Sequence, residues 1–367
     1  MHRSRFSLSR RQLMASAGAL ALSGAGWLPD MNDRASLREL GEKSGLLYGA
    51  AVQSRTLREA PRMAQAVARE CSLLTPEFEL KWNTLRPEPD VFNFSRADQL
   101  LRFAERHNMR MRGHVLVWYK SVRDKWLIEA LNNNPPESLL ADHIRTVAEH
   151  YKGKLYAWDV VNEAIKAKDG LPDRMRASPW LTAYGPGYVQ RAFEYAYAAD
   201  PITPLFYNET NLEYDDEETR LRRQGVLNLL DKLKRNNTPL HGFGLQMHLQ
   251  VGRPYSPKSL ASFIAEIAKR NLEVHITELD VSDVDIPGDR DTRDRLVADH
   301  AREVLETVMA HAPVTTLSTW GLSDAYTWME DRYFRADGAR LRPLPLDRDY
   351  NRKPLWSVLA DTIEGRK

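Results

Sequence analysis

The sequence predicts one α/β domain closed as a (β/α)8 TIM barrel behind an N-terminal export segment. Three observations carry this. Eight short apolar runs are each followed by a longer, helical pattern; no Gly-rich phosphate turn opens the first unit; and the chain has an ordinary globular composition, 367 residues with 43% apolar and 28% charged. The apolar runs are 46–51, 72–75, 111–117, 156–161, 205–207, 242–247, 273–277 and 314–319. Between them, segments 97–108, 139–151, 219–234, 256–270 and 294–311 repeat apolar residues at the 3.6-residue period of a helix. Ser256-Pro257 reads as an N-cap followed by proline at the first helical position, and Pro313 stops the last of these segments. A doubly wound open sheet is the rival arrangement, but 45–49 (GLLYG) does not carry its dinucleotide fingerprint.

The first 25 residues read as an address. Paired Arg10 and Arg11 precede a soft apolar stretch at 13–22 and then Ser23-Gly24-Ala25, the charged, apolar and small-residue parts of a twin-arginine export signal. Ten weakly apolar residues cannot cross a hydrocarbon core that takes about 20. The expected product is periplasmic or secreted and free of the membrane once the signal is removed. It has a lead-in at 26–44 and a single catalytic-size domain at 45–367, and is expected to be a monomer. Lys and Arg number 52 against 50 Asp and Glu, so the formal charge of +2 implies no broad cationic face for nucleic acid. Cys71 stands alone, which excludes an intrachain disulfide and a Cys-based zinc site.

In a barrel of this kind the carboxyl ends of the strands converge on one mouth, so polar residues there are candidates for chemistry. Sorted by that rule, the second run delivers Glu77 and Lys81, the third His114 and Trp118, and the fourth Asn162 and Glu163. Asn208 follows the fifth run, Gln246 and His248 the sixth, Glu278 and Asp280 the seventh, and Trp320 the eighth. Glu163 and Glu278 each end an apolar run, on the fourth and seventh strands. Two carboxylates across a cavity are what glycosidic bond cleavage uses, one to protonate the departing oxygen and one to attack the anomeric centre. Either Glu alone fits equally well in an ion pair at a strand end, and His114, His248 and Trp118 taken singly are ordinary packing residues. Neither histidine belongs to a paired metal-binding motif, so no metal or other cofactor is expected.

From about Gly49 to Leu359 the chain closely resembles glycoside hydrolase family 10, the retaining β-1,4-xylanases. The resemblance rests on ordered motifs: Thr75-Pro76-Glu77 to Trp82, Gly113-His114-Val115-Leu116-Val117-Trp118, Trp158 to Ala164, Gly242 to Leu249, Ile276 to Val281, Trp320 to Asp324, and Asp349 to Pro354. It implies Glu163 as general acid/base and Glu278 as nucleophile, with a covalent glycosyl-enzyme between two displacements. It further implies Asn162 on the 2-hydroxyl of the cleaved sugar, His248 and Asp280 orienting the nucleophile, and Lys81, His114 and Gln246 lining the minus-one sugar. Trp320 and Trp328 would wall that sugar, with Glu77 beyond it. The implied partner is a β-linked polysaccharide or oligosaccharide, xylan first. A β-1,4-glucanase of the same chemistry and a sugar-binding protein derived from a hydrolase stay open as alternatives.

Three positions depart from the family pattern. Phe78 follows Glu77 where an asparagine is usual, Trp118-Tyr119-Lys120-Ser121 replaces Trp-His-x-Gln, and Asn208-Glu209-Thr210-Asn211 replaces Asn-Asp-Tyr-Asn. Phe78, Tyr119 and Ser121 are therefore expected to alter the minus-two subsite, each lost hydrogen bond being worth about 0.5–1.5 kcal/mol.

Overall fold

The computed structural model describes residues 34–365, so the export signal expected at 1–25 lies outside the described residues. Eight strands form a closed parallel barrel. They are β1 (Leu47–Val52), β2 (Leu73–Pro76), β3 (Arg110–Trp118), β4 (Ala157–Asn162), β5 (Leu205–Glu209), β6 (Gly242–Leu245), β8 (Glu273–Ser282) and β9 (Val314–Thr319), with β7 (His248–Gln250) a short addition against the end of β8. Neighbours pair in chain order, β9 returns to β1, and β6 pairs β8 to complete the ring. The strands are buried almost throughout, as expected of a parallel sheet covered by helices, and this is why they read as unbroken apolar runs rather than alternating ones.

Helix boundaries follow local chemistry. Asp216 and Asp289 accept hydrogen bonds from Thr219 and Thr292 and open helices Glu217–Arg235 and Arg290–His311, the second of them four residues before the apolar pattern begins. Ser256 caps Pro257–Ala268 as its sequence predicts. The expected sixth strand is shorter than its apolar run, because Met247 takes a left-handed φ of 61° and turns the chain before β7. The compact unit starts at Ala35, not at 45. Helix Leu37–Ser44 belongs to it, held by a reciprocal capping box between Ser36 and Glu39 and by Leu37 N–H on the buried Glu70 carboxylate at 3.0 Å.

The barrel interior holds a polar chain as well as an apolar core. Arg112, fully buried, meets the Asp159 carboxylate through two bonds of 3.0 and 2.5 Å. Its third arm donates to His275 Nδ1 at 2.7 Å, and its guanidinium lies 4.8 Å from the Phe206 ring centroid. His275 passes its other ring nitrogen to Glu273 at 3.0 Å. Asp159 also receives His114 Nδ1 at 2.9 Å. Burial alone would raise the Asp159 pKa, but the Arg112 charge and the bonds from His114 and Arg112 outweigh it and hold it at about 2.

Removing the carboxylate would leave Arg112 charged, buried and unpaired, the costly half of a buried ion pair. Asp159→Asn is expected to lower unfolding stability by about 3–5 kcal/mol in urea titrations at neutral pH. A carboxyl held below its unfolded value stabilises the fold above about pH 4 and loses that contribution as pH falls towards about 2. The parent protein should therefore lose stability on acidification more steeply than the variant.

Candidate active site

The strand ends surround a cleft of about 660 Å³ lined by Glu163 and Glu278 and by tryptophans 118, 320 and 328. Glu163 follows β4 with φ 57°, its backbone N–H donating 3.0 Å to the Asn208 carbonyl. Its carboxylate meets Arg176 Nη2 at 3.5 Å and Gln246 Nε2 at 3.4 Å, and Arg176 Nε also binds its carbonyl oxygen at 2.5 Å. Glu278, within β8, is 4% exposed. Asn208 Nδ2 donates to one of its oxygens at 2.6 Å and His248 Nε2 to the other at 3.2 Å.

Amide side chains knit the two glutamates together. Asn162 and Asn208 stand opposite in the β4–β5 register, and the Asn162 oxygen accepts from Asn208 at 3.1 Å and from Gln246 at 2.9 Å. The Asn208 oxygen accepts from the Thr277 hydroxyl at 2.8 Å. Its register partner on β6 must be glycine, since a Cβ on Gly244 would come within 2.1 Å of that oxygen. Every lone pair used in this mesh fixes an amide orientation, and the Asn162 nitrogen is left facing the cleft.

His248 is bracketed by acids, Glu278 on one nitrogen and Asp280 on the other at 2.8 Å. Burial works against a charge on its ring; the two carboxylates more than reverse this and hold its pKa well above the ordinary imidazole value. Trp328 Nε1 binds the second oxygen of Asp280 at 2.7 Å. Burial would likewise raise Glu278, but His114 and the hydrogen bond from His248 prevail and keep it below the usual carboxylate value. Glu77 has the opposite fate: burial pushes it to about 7 despite a 3.1 Å bond from Gln53 and the nearby Lys81 charge. Burial lowers Lys81 to about 8, while its ammonium lies 4.7 Å from the Trp118 ring centroid and 4.8 Å from that of Phe78.

The structure brings Glu77, Lys81, His114, Trp118, Asn162, Gln246, His248, Trp320 and Trp328 to the cleft, with Phe78 and Tyr119 on its wall. Asn208 and Asp280 are fully buried behind it, Asn208 bonded to Glu278 and Asp280 to His248. Ser121 does not line the cleft. It ends the tight turn Tyr119–Ser121, which folds its side chain inward to 2% exposure with the hydroxyl lacking a protein partner. Sequence reasoning missed Arg176, which reaches Glu163 from an irregular loop, and the buried Glu209. Glu209 receives Ile165 N–H at 3.1 Å and the Tyr207 hydroxyl at 2.5 Å, so it pins the loop that follows Glu163. The signals for Glu209 were an acid two residues past the fifth apolar run and its place in the departure from the Asn-Asp-Tyr-Asn pattern. Among the described residues, no group of three or more His, Cys, Asp or Glu is placed to hold a metal ion, and no helix is long and apolar enough to cross a membrane.

The profile of Glycosyl hydrolase family 10 matches residues 36–362. A β-1,4-xylanase from Dictyoglomus thermophilum is 33% identical over 336 residues, covering 88% of this chain and 90% of its own length. Endo-1,4-β-xylanase B of Thermotoga neapolitana is 30% identical, covering 90% of this chain and 92% of its own. Among solved structures, xylanase 10B from Thermotoga maritima superposes with a TM-score of 0.79 at 31% identity over 90% of this chain and 98% of its own. Xylanase 10B from Thermotoga petrophila in complex with xylobiose gives 0.79 at 31% identity over 91% and 98%. With the closed barrel and two glutamates at its mouth, these matches settle the family: this chain is a member of glycosyl hydrolase family 10.

Proposed function

We propose that the protein hydrolyses β-1,4-xylosidic bonds by double displacement, with Glu278 as nucleophile and Glu163 as general acid and then base. The observation that carries the reading is the unequal treatment of the two carboxylates. Glu278 receives an amide and a histidine held charged, so it is kept ionised and aimed. Glu163 receives only long contacts at 3.4 and 3.5 Å on its carboxylate, which leaves its oxygens open to the departing group and to water. In the first step Glu278 attacks the anomeric carbon and the Glu163 proton goes to the departing oxygen. In the second, Glu163 takes a proton from water as the water oxygen displaces Glu278. Asn162, with its oxygen locked by two donors, offers its nitrogen to the 2-hydroxyl, where a bond strengthens as positive charge develops on the ring.

Phe78 and Tyr119 stand where the family pattern puts hydrogen-bonding side chains, and Ser121 has withdrawn from the wall. This supports an altered minus-two subsite, richer in aromatic surface and poorer in amides. Related solved structures are complexes with xylobiose and with xylotriose, which supports a xylo-oligosaccharide as the occupant. The segment around Arg10 and Arg11 supports export by the twin-arginine route.

On aryl β-xylobioside, Glu278→Ala should be nearly inert. Glu163→Ala should be slowed about 10²–10⁴-fold on substrates that need leaving-group protonation, and added azide should rescue it by attacking the glycosyl-enzyme to give a β-glycosyl azide. A β-glycosyl azide from Glu278→Ala, with only the inverted α-azide from Glu163→Ala, would exchange the two roles. Faster hydrolysis of aryl β-cellobioside than of aryl β-xylobioside would move the assignment to a glucanase. Asn208→Ala removes the 2.6 Å donor to Glu278. The Glu278 pKa should then rise and the acid limb of kcat/KM move to higher pH, while an unmoved limb would deny Asn208 its part in holding the charge.

A further inference from the structure

Eight Lys and Arg side chains line the cleft against four Asp and Glu, in a chain whose overall formal charge is only +2. Four of the cations are accounted for by partners: Arg176 by Glu163, Lys166 by Asp169, Arg222 by Glu218 and Arg253 by Asp216. Lys81 belongs to the sugar site already described. The other three, Lys120, Arg123 and Arg332, form no ion pair among the described residues. Lys120 and Arg123 share one loop after β3, joined by a 3.0 Å bond from Arg123 Nε to the Lys120 carbonyl. Lys120 is half-buried, its ammonium 5.2 Å from the Trp118 ring centroid and 5.5 Å from that of Tyr119. Arg332, from the loop after β9, lies 5.3 Å from the Trp328 ring centroid.

A neutral glycan does not call for this arrangement. Its hydroxyls are served by amides and carboxylates, whereas Lys120 is drawn partly out of water against two aromatic rings and the exposed Arg123 and Arg332 stand at the rim, an arrangement that an incoming anion would favour. Burial lowers the Lys120 pKa, and the Arg332 and Arg176 charges add to that effect against the opposing pull of Glu163 and Glu278, so the two loops sense each other across the cleft. Both glutamates have their own donors, which leaves the rim cations free for an incoming group. We propose that Lys120, Arg123 and Arg332 form a subsite for the carboxylate of a uronic acid branch carried on the β-linked substrate. The guanidinium forks suit a planar carboxylate, and Lys120 adds a point charge from the floor of the loop. The inference deepens the glycosidase reading and rests on it.

The test is a pair of ligands, a xylotetraose bearing one glucuronic acid branch and its carboxyl-reduced counterpart. Their binding to the Glu278→Gln protein is followed by titration calorimetry. The acidic ligand should bind at least about tenfold tighter at about 50 mM salt, with the advantage shrinking several-fold at about 0.5 M because these charges are only partly buried. The added double substitution Lys120→Gln and Arg332→Gln should bring the affinity ratio close to one, and the reduced ligand reports whether that variant's cleft is intact. Should the variant misfold, the salt series on the Glu278→Gln parent decides alone. Equal affinities at low salt, or an advantage that outlasts both substitutions, would overturn the proposal. Failure of the unsubstituted protein to cleave any xylo-oligosaccharide would overturn the glycosidase reading instead, and the affinity ratio would still be measurable.

Discussion

The bond between Arg112 and Asp159 inside the barrel ties the scaffold to the chemistry. Asp159 is on β4, four residues before Glu163, and its second task is to receive His114 from β3. The His114 ring in turn packs edge-on to Trp320 at 5.0 Å, and His114 helps keep Glu278 ionised. One buried pair thus sets the position of β4 beside β3 and orients a side chain at the floor of the cleft. A carboxylate and a guanidinium in a dry interior are tolerable only when both are fully matched. Here Arg112 has Asp159, His275 and the Phe206 face.

Above that floor, the mouth of the barrel is a study in distributing charge. The side chains of Asn162, Asn208 and Gln246 are neutral and carry no titration of their own, so they link two glutamates without forcing both into one state. His248, charged between two acids, supplies the cation that Glu278 needs, and Trp328 closes the chain by binding Asp280. Lys81 and Glu77, both buried, are shifted towards neutrality and sit near each other's range, which makes this end of the cleft sensitive to pH around 7 to 8.

Much of this was legible in the sequence because barrel strands are short, buried on both faces and followed by helices with clear apolar periodicity. Residue type at a strand's carboxyl end then pointed to Glu163, Glu278, Asn162 and His248 without any contact being known. Boundaries were less legible: caps such as Asp289 sit in polar sequence ahead of the apolar pattern, and Met247 ends a strand through a backbone angle that no composition signals. The capping box Ser36-x-x-Glu39 was readable but lay in a stretch set aside as lead-in. That Ser121 turns away from the cleft was not legible, because the direction of a side chain in a three-residue turn depends on local dihedrals. Arg176, and the company of Lys120 with Arg332, depend on loops separated by many residues, whose meeting is fixed only by the closed barrel.

In the proposed mechanism Glu278 forms a bond to the anomeric carbon which water later breaks, so that two inversions restore the starting configuration. The most direct measurement is the proton NMR spectrum of the first product released from a β-xylo-oligosaccharide, recorded before mutarotation. The geometry described here predicts the β-anomer as the initial product. An initial α-anomer would mean a single displacement by water and would contradict the roles given to both glutamates.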